Sequence, residues 1–157
     1  LPAEDWSVPD SLWFTRLLFF FQAEAGIRGR LVTGVQTCAL PIWWADKAIS
    51  LNGNTGDGYS QKGKVFYYGW DNFRQNPFTT DDRIVAKLAH DYFVKAEGKG
   101  FHGFSKSVWL NENAKDVMYG KAQWFMAEDK VKRTRNISTR TTDYSWVTES
   151  LVPESSW

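Results

Sequence analysis

His90 and His102 are the only imidazole side chains in the sequence, so they are the first candidates for acid–base catalysis or metal binding. His90 is followed by Asp91, and His102 lies in the glycine-rich run 98–103. Adjacent residues on a helix point to different sides, so this spacing does not predict a contact between His90 and Asp91. The sequence therefore predicts no catalytic residue, no metal site and no cofactor. That result favours a non-catalytic protein without excluding an enzyme.

Oxygen-bearing side chains in the loop 52–58 resemble part of a calcium-binding loop. Asn52, Asn54 and Asp57 would supply the ligands. An EF-hand-type loop places its third ligand one residue earlier and ends on a bidentate glutamate, where this chain has Gly63. The spacing therefore favours an ordinary surface turn, for which glycine and asparagine are suited.

A basic stretch near the C-terminus is the candidate for binding nucleic acid. It lies near Trp124 and Tyr144, and its members are Lys130, Lys132, Arg133, Arg135 and Arg140. Lysines and arginines interleaved with rings suit single-stranded nucleic acid, because cations follow the phosphates while rings stack on bases. The simpler interpretation is a solvated helix end with cations at its C-terminus. Nucleic acid is therefore an open partner of this chain, not the favoured one.

Aromatic residues make up 17% of the chain, which is more than the core of a domain of this size needs. Either some rings face a ligand, or a further part of the protein covers them. The candidates for ligand contact are Tyr67, Tyr68, Trp70 and Trp109.

Charge and cysteine content exclude little about the partner or the compartment. The 19 basic residues nearly balance the 18 acidic ones, so there is no overall electrostatic attraction to nucleic acid or membranes. The run LLFFF at residues 17–21 is far shorter than the roughly 20 apolar residues that span a bilayer. We therefore expect no membrane span, and we assign no localisation.

Residues 22–42 read QAEAGIRGRLVTGVQTCALPI and contain the single cysteine, Cys38. This segment resembles the translation of an oligonucleotide adapter used in short-read sequencing libraries, whose fixed parts encode QAEDGIRD and VTGVQTCALPI around a short index. Residues 32–42 match the second part at every position. In the first part only Ala25 and Gly29 differ, each by a single-base change. The resemblance implies that residues 22–42 were never selected to fold, and such segments are excluded from fold reasoning.

The domain prediction follows from that resemblance. Residues 1–42, the adapter-like segment with its flank, are not expected to be a domain or a native fold. Residues 43–157 are expected to form a single globular domain, as the C-terminal fragment of a longer protein. No family is recognised in residues 43–157. We expect residues 22–42 to be poorly ordered, or to contribute few buried contacts to a core around Ile84, Leu88 and Phe125.

Two amphipathic helices are predicted to position these candidates. The first covers about residues 80–97, with Thr80 as N-cap, apolar residues every four positions from Ile84, and Gly98 and Gly100 after its end. The second covers about residues 112–130 and has an apolar stripe of Ala114, Val117, Met118, Ala122, Phe125 and Met126.

Strands and a partial helix complete the predicted architecture. Alternating aromatic residues at 64–70 indicate a strand, and residues 143–152 a second short one around Tyr144, Trp146 and Val147. Residues 43–50 are typical of the end of a helix. The predicted fold is α+β, with two helices against a small antiparallel sheet.

Three functions remain open at this point. The favoured one is a non-catalytic structural or ligand-binding segment with exposed aromatic rings. The second is nucleic-acid binding through residues 130–140. The third is a fragment of an enzyme whose other catalytic groups lie elsewhere.

Overall fold

The computed structural model describes residues 34–102 and 104–157, with side chains from Leu40 onward. Within these ranges the chain is helical. Its elements are α1 (Gly34–Leu51), α2 (Asp57–Phe73), α3 (Thr80–Glu97), α4 (Ser105–Glu112), α5 (Ala114–Val117), α6 (Lys121–Phe125), α7 (Asp129–Thr134) and a 3-10 turn (Thr142–Tyr144).

Helix α2 packs against both α1 and α3 and is buried along most of its length. Two glycines allow this close approach. A Cβ at Gly58 would lie 2.8 Å from Cγ1 of Ile49 on α1, and one at Gly63 would lie 2.8 Å from the Phe93 ring on α3. Real Cβ contacts are longer, so a side chain at either position would force the helices apart.

Helix α3 confirms the sequence prediction in type and extent, because it covers Thr80–Glu97. Its N-cap is Thr79, one residue before the predicted Thr80. The Thr79 hydroxyl accepts from the Asp82 N–H at 3.2 Å, and the Asp82 carboxylate accepts from the Thr79 N–H at 2.7 Å. Gly98 caps the other end, and Gly100 adopts a positive φ of 83° that glycine tolerates best.

The strand predicted at residues 64–70 is wrong, since these residues form the middle of α2. Val65, Phe66, Gly69 and Trp70 are buried, whereas Tyr68 is exposed. The pair Val65 and Phe66 recurs four residues later as Gly69 and Trp70, which is the repeat of one face of a helix. A short aromatic run fits both periodicities, and here contact with α1 and α3 selects the helix.

The single helix predicted for residues 112–130 is also wrong, because four short helices occupy this region. The chain leaves helical geometry at Met118, whose ψ is 156°. The next residue, Tyr119, donates its N–H to the Arg83 carbonyl of α3 at 2.9 Å and is buried. A tertiary hydrogen bond and a buried ring thus replace the continuous helix.

The predicted antiparallel sheet is absent from the described part of the chain, so the α+β assignment is wrong. The one strand-like pairing there is an isolated bridge between Ile137 and Leu151. The strand predicted at 143–152 is replaced by the 3-10 turn and extended chain. Tyr144, Trp146 and Val147 are all buried, so they pack as core residues instead of alternating between two faces.

Helix α1 runs without a break across residues 42 and 43, the predicted boundary between adapter-like and native sequence. It includes the predicted helical residues 43–50, and residues 34–39 are helical. Among Leu40, Pro41 and Ile42, only Ile42 is buried in the core. Residues 34–42 of the adapter-like segment are therefore helical, and they contribute one buried side chain, Ile42, among those described. The same expectation for residues 22–33 lies outside the described residues. No helix within residues 34–102 and 104–157 is long and apolar enough to cross a membrane.

Candidate functional site

The four aromatic residues predicted to bind a ligand lie together but differ in burial. Tyr67 and Trp70 are buried, with ring centroids 5.6 Å apart. Trp109 of α4 lies 6.1 Å from Trp70 and is 38% exposed, and Tyr68 is 39% exposed. We call these four residues the α2–α4 aromatic cluster. The two buried rings join helices, while Tyr68 and Trp109 keep part of one face in solvent.

The five predicted nucleic-acid residues lie on or just after α7, and three of them make local polar contacts. Lys132 donates to the Phe125 carbonyl at 2.8 Å, and Arg135 donates to the Pro153 carbonyl at 3.5 Å. Arg140 pairs with Glu128 at 3.1 Å. Among the described residues, Lys130 and Arg133 have no such partner and are exposed. The structure therefore leaves part of the basic stretch available to a ligand.

The histidines and the 52–58 loop are not assembled into a metal site. His90 Nδ1 lies 3.6 Å from the Asp91 carboxylate, so these adjacent side chains approach each other, contrary to the expectation from their spacing. His102 is exposed. The loop residues Asn52 and Asn54 contact each other at the protein surface. Groups of three potential metal-ligating side chains do not occur in the part of the chain that the structure describes.

A buried lysine joins three parts of the molecule, a feature that the sequence analysis did not identify. Lys62 of α2 contacts Asp46 of α1, at 2.5 Å, and Glu149 near the C-terminus. Tyr92 of α3 donates its hydroxyl to Glu149 at 2.5 Å. Burial alone lowers the pKa of Lys62, but the hydrogen bonds of its ammonium outweigh that effect and raise the pKa above its usual value.

The same network keeps Tyr92 protonated. Burial and the hydrogen bond to Glu149 raise the pKa of Tyr92 to about 12. Lys62 and Tyr92 therefore hold their protons at neutral pH and do not serve as proton acceptors there. The contacts of Lys62 and Tyr92 with Glu149 instead connect the C-terminal region to α2 and α3.

Helix α3 holds the C-terminal region through three further polar side chains. The Asp81 carboxylate accepts from the N–H groups of Arg140 and Thr141, each at 2.8 Å. Asp82 accepts from the Tyr144 hydroxyl at 2.5 Å. Lys87 pairs with Glu154 at 2.7 Å. Buried charges must be paired, so these contacts fix where residues 140–154 lie.

An exposed apolar groove remains in the C-terminal region, and we call it the C-terminal groove. Its volume is about 760 Å³, and its lining residues are Lys121, Ala122, Trp124, Phe125, Met126, Lys132 and Trp157. Phe125 is 76% exposed and Met126 is 81% exposed. The Lys132 ammonium lies 5.7 Å from the Phe125 ring centroid.

Three elements position the C-terminal groove. Helix α6 carries Lys121, Trp124 and Phe125, and α7 carries Lys132. The Trp157 ring packs against buried Tyr119, with centroids 5.7 Å apart. The prediction of Phe125 in the core is wrong, and Met126 of the predicted apolar stripe is exposed as well, because the single helix expected at 112–130 does not form. The feature of the sequence that could have indicated the groove is the adjacent apolar pair Phe125 and Met126 close to the basic stretch.

No protein-family model, curated protein or solved structure matches this chain. The arrangement of side chains is therefore the basis for any function assigned to it.

Proposed function

We propose that this chain is a non-catalytic binding module and that the C-terminal groove is its contact surface. The observation behind this proposal is that the adjacent apolar side chains Phe125 and Met126 are 76% and 81% exposed and line the same groove. Apolar side chains grouped on a surface and flanked by charge mark binding sites. The groove volume falls in the usual range for small-ligand pockets.

The lining of the groove indicates the chemistry of its ligand. Phe125, Met126 and Ala122 offer an apolar wall, and Trp124 and Trp157 add ring surface. Lys121 and Lys132 stand at the same groove and supply positive charge. A ligand with a flat apolar group and a negative charge complements both features.

The buried ionisable groups support binding over catalysis. Lys62 and Lys87 are each committed to carboxylates on other parts of the chain, and Tyr92 is held protonated. Groups fixed in pairs of this kind hold a structure together. A general base, in contrast, needs a pKa near the working pH and access to substrate.

An anionic aromatic dye tests this proposal directly. Anilinonaphthalene sulfonate should bind the folded protein with a rise in fluorescence, and the double variant Phe125→Ala/Met126→Ala should weaken that binding by tenfold or more. Leu51→Ala is the matched control, because Leu51 is 77% exposed on α1. Near-ultraviolet circular dichroism shows that each variant keeps native packing, since loosely packed states also bind this dye. Equal binding by the double variant and the wild type would refute the proposal.

We also propose that residues 22–42 are translated adapter sequence and not part of the natural protein. The support is the match at residues 32–42, with only Ala25 and Gly29 differing in the first fixed part. Amplifying and resequencing the locus from source DNA, with primers inside the codons for residues 80–157, tests it. Finding the codons for residues 22–42 in genomic DNA would show that this segment is natural.

A further inference from the structure

We propose that the ligand of the C-terminal groove is single-stranded nucleic acid, with bases on the apolar wall and phosphates on the surrounding cations. This inference rests on the proposed function, because it names the ligand class of the same site. It also recruits residues that the groove itself does not include, namely Lys130 and Arg133 of α7.

The apolar wall of the groove fits an unpaired base. A base offers a flat face of the size of a side-chain ring, and stacking on an aromatic side chain stabilises binding regardless of base identity. Phe125 is 76% exposed, the most of any ring among the described residues, and Trp124 and Trp157 line the same groove. In a duplex the base faces are already stacked, so this wall favours a single strand.

Charge near the rings complements the sugar-phosphate backbone. Residues 121–140 contain six lysines and arginines but only two acidic residues, although the whole chain carries a formal charge of +1. The excess of positive charge is therefore local. The Lys132 ammonium lies over the Phe125 ring, 5.7 Å from its centroid, so a cation already stands at one face of this ring and a base would stack on the other face. In a nucleotide the base and the phosphate are also close to each other, so both can be bound at once by a ring and a neighbouring cation.

The cations differ in how free they are to bind phosphate. Glu128 holds Arg140 through two hydrogen bonds, at 3.1 and 3.5 Å. Lys121 and Lys132 line the groove, and Lys130 and Arg133, three residues apart, share one face of α7. We therefore assign four phosphate contacts to Lys121, Lys130, Lys132 and Arg133, and none to Arg140. Lys132 would use an ammonium proton other than the one it donates to the Phe125 carbonyl.

An acidic peptide is the competing ligand, and the groove fits it less well. A peptide helix docks through apolar anchors spaced three and four residues apart along a continuous groove. Here the strongly exposed apolar wall is the adjacent pair Phe125 and Met126, with cations on both α6 and α7. Single-stranded nucleic acid carries a negative charge and a flat base at every repeat, so it matches this surface better than a peptide with apolar anchors at intervals.

Fluorescence anisotropy with a labelled oligothymidine of about 12 nucleotides measures the binding. Four phosphate contacts to a single strand predict a slope near −3 for the logarithm of the association constant against the logarithm of salt concentration. Affinity should then fall roughly 50-fold between about 50 and 200 mM salt. A duplex of the same length should bind more weakly than the single strand. Equal affinity for duplex and single strand would overturn the stacking assignment.

Two variants separate charge from stacking. Lys130→Gln/Lys132→Gln/Arg133→Gln should lower affinity and reduce the salt slope by about 2. Phe125→Ala should lower affinity by roughly fivefold or more with no change in slope. The matched control, Lys47→Gln/Lys99→Gln/Lys106→Gln, removes three exposed cations elsewhere and should leave the slope unchanged. If both triple variants reduce the slope equally, binding is non-specific and the proposal fails.

The failure of this inference is distinguishable from failure of the proposed function. If the anionic dye binds at Phe125 and Met126 but the oligonucleotide does not bind, the groove remains a binding site and nucleic acid is excluded as its ligand. A peptide of glutamates and tryptophans that binds more tightly than the oligonucleotide would also overturn the inference. If the dye too fails to bind, both proposals fall.

Discussion

The α2–α4 aromatic cluster and the C-terminal groove are both rich in aromatic side chains, but their most prominent rings differ in burial. In the α2–α4 aromatic cluster, Trp70 is almost completely buried and packs against three rings, those of Tyr67, Trp109 and neighbouring Phe78. In the C-terminal groove, Phe125 is 76% exposed and Trp124 is partly buried. The difference shows that ring content alone does not identify a binding surface, because the same residue types serve as core where helices meet.

The two regions are also held in place by different forces. Ring packing holds the α2–α4 aromatic cluster, where the centroid of Trp70 lies 6.1 Å from that of Trp109 and 5.8 Å from that of Phe78. In the C-terminal region, the carboxylates of Asp81 and Asp82 accept hydrogen bonds from Arg140 and Tyr144 and hold these residues against α3. We therefore expect the free energy of unfolding to fall when a large apolar side chain is shortened in the first region, and when a hydrogen-bonding side chain is removed in the second.

Trp70→Ala should have the largest effect on stability, about 3–5 kcal/mol, because it leaves a large cavity between helices. The Trp70 indole N–H has no hydrogen-bond partner among the described residues, so Trp70→Phe should cost clearly less. Urea denaturation followed by circular dichroism measures both losses. Equal losses for the alanine and phenylalanine variants would show that packing is not the cause.

Asp82→Asn should destabilise the protein by about 2–3 kcal/mol, since a buried carboxylate that accepts several hydrogen bonds loses its charge. Asp82 accepts from Tyr144, Thr79 and Gln75. Asp71→Asn is the control, because Asp71 is exposed and its salt bridge is to nearby Arg74 on the protein surface. Guanidinium denaturation compares the two variants. Equal, small losses would mean that the C-terminal region does not depend on Asp82.

Stability should fall as pH rises from about 10 to 12. The folded-state pKa of Tyr92 is raised to about 12, above its unfolded value near 10, so its contribution is complete below pH 10 and is lost as pH rises. The raised pKa of Lys62 acts in the same direction. Tyr92→Phe should remove about 1–2 kcal/mol of this pH dependence. Urea denaturation of the wild type and of Tyr92→Phe at pH 8 and at several values above pH 10 tests this. The same dependence of the free energy of unfolding on pH in both proteins would contradict it.

Phe125→Ala should change the free energy of unfolding by less than about 0.5 kcal/mol, because the side chain is mostly in solvent. Thermal unfolding of the variant beside the wild type measures it. A loss comparable to that of Trp70→Ala would remove the contrast between the two aromatic regions, and the C-terminal groove would then be core.

Helix α3 was predictable because its local signals agree. Acidic residues follow the cap, Ile84 and Leu88 recur at helical spacing, and glycines follow the end. The candidate cations of α7 were also identified from sequence. The groove was not, because its shape depends on where the helix predicted at 112–130 is interrupted. That interruption comes from the contact between Tyr119 and Arg83, which are far apart in sequence.

The sequence by itself determined the position of α3, the helical character of residues 43–50, the basic stretch and the adapter-like match at 22–42. These depend on neighbouring residues or on identity alone. The tertiary structure decided that residues 64–70 are helical, that Tyr67 and Trp70 are buried, and that Phe125 and Met126 are exposed. The physical reason is that burial is a property of the packed chain: contacts between distant residues, such as Gly63 with Phe93 and Asp82 with Tyr144, select among locally equivalent conformations.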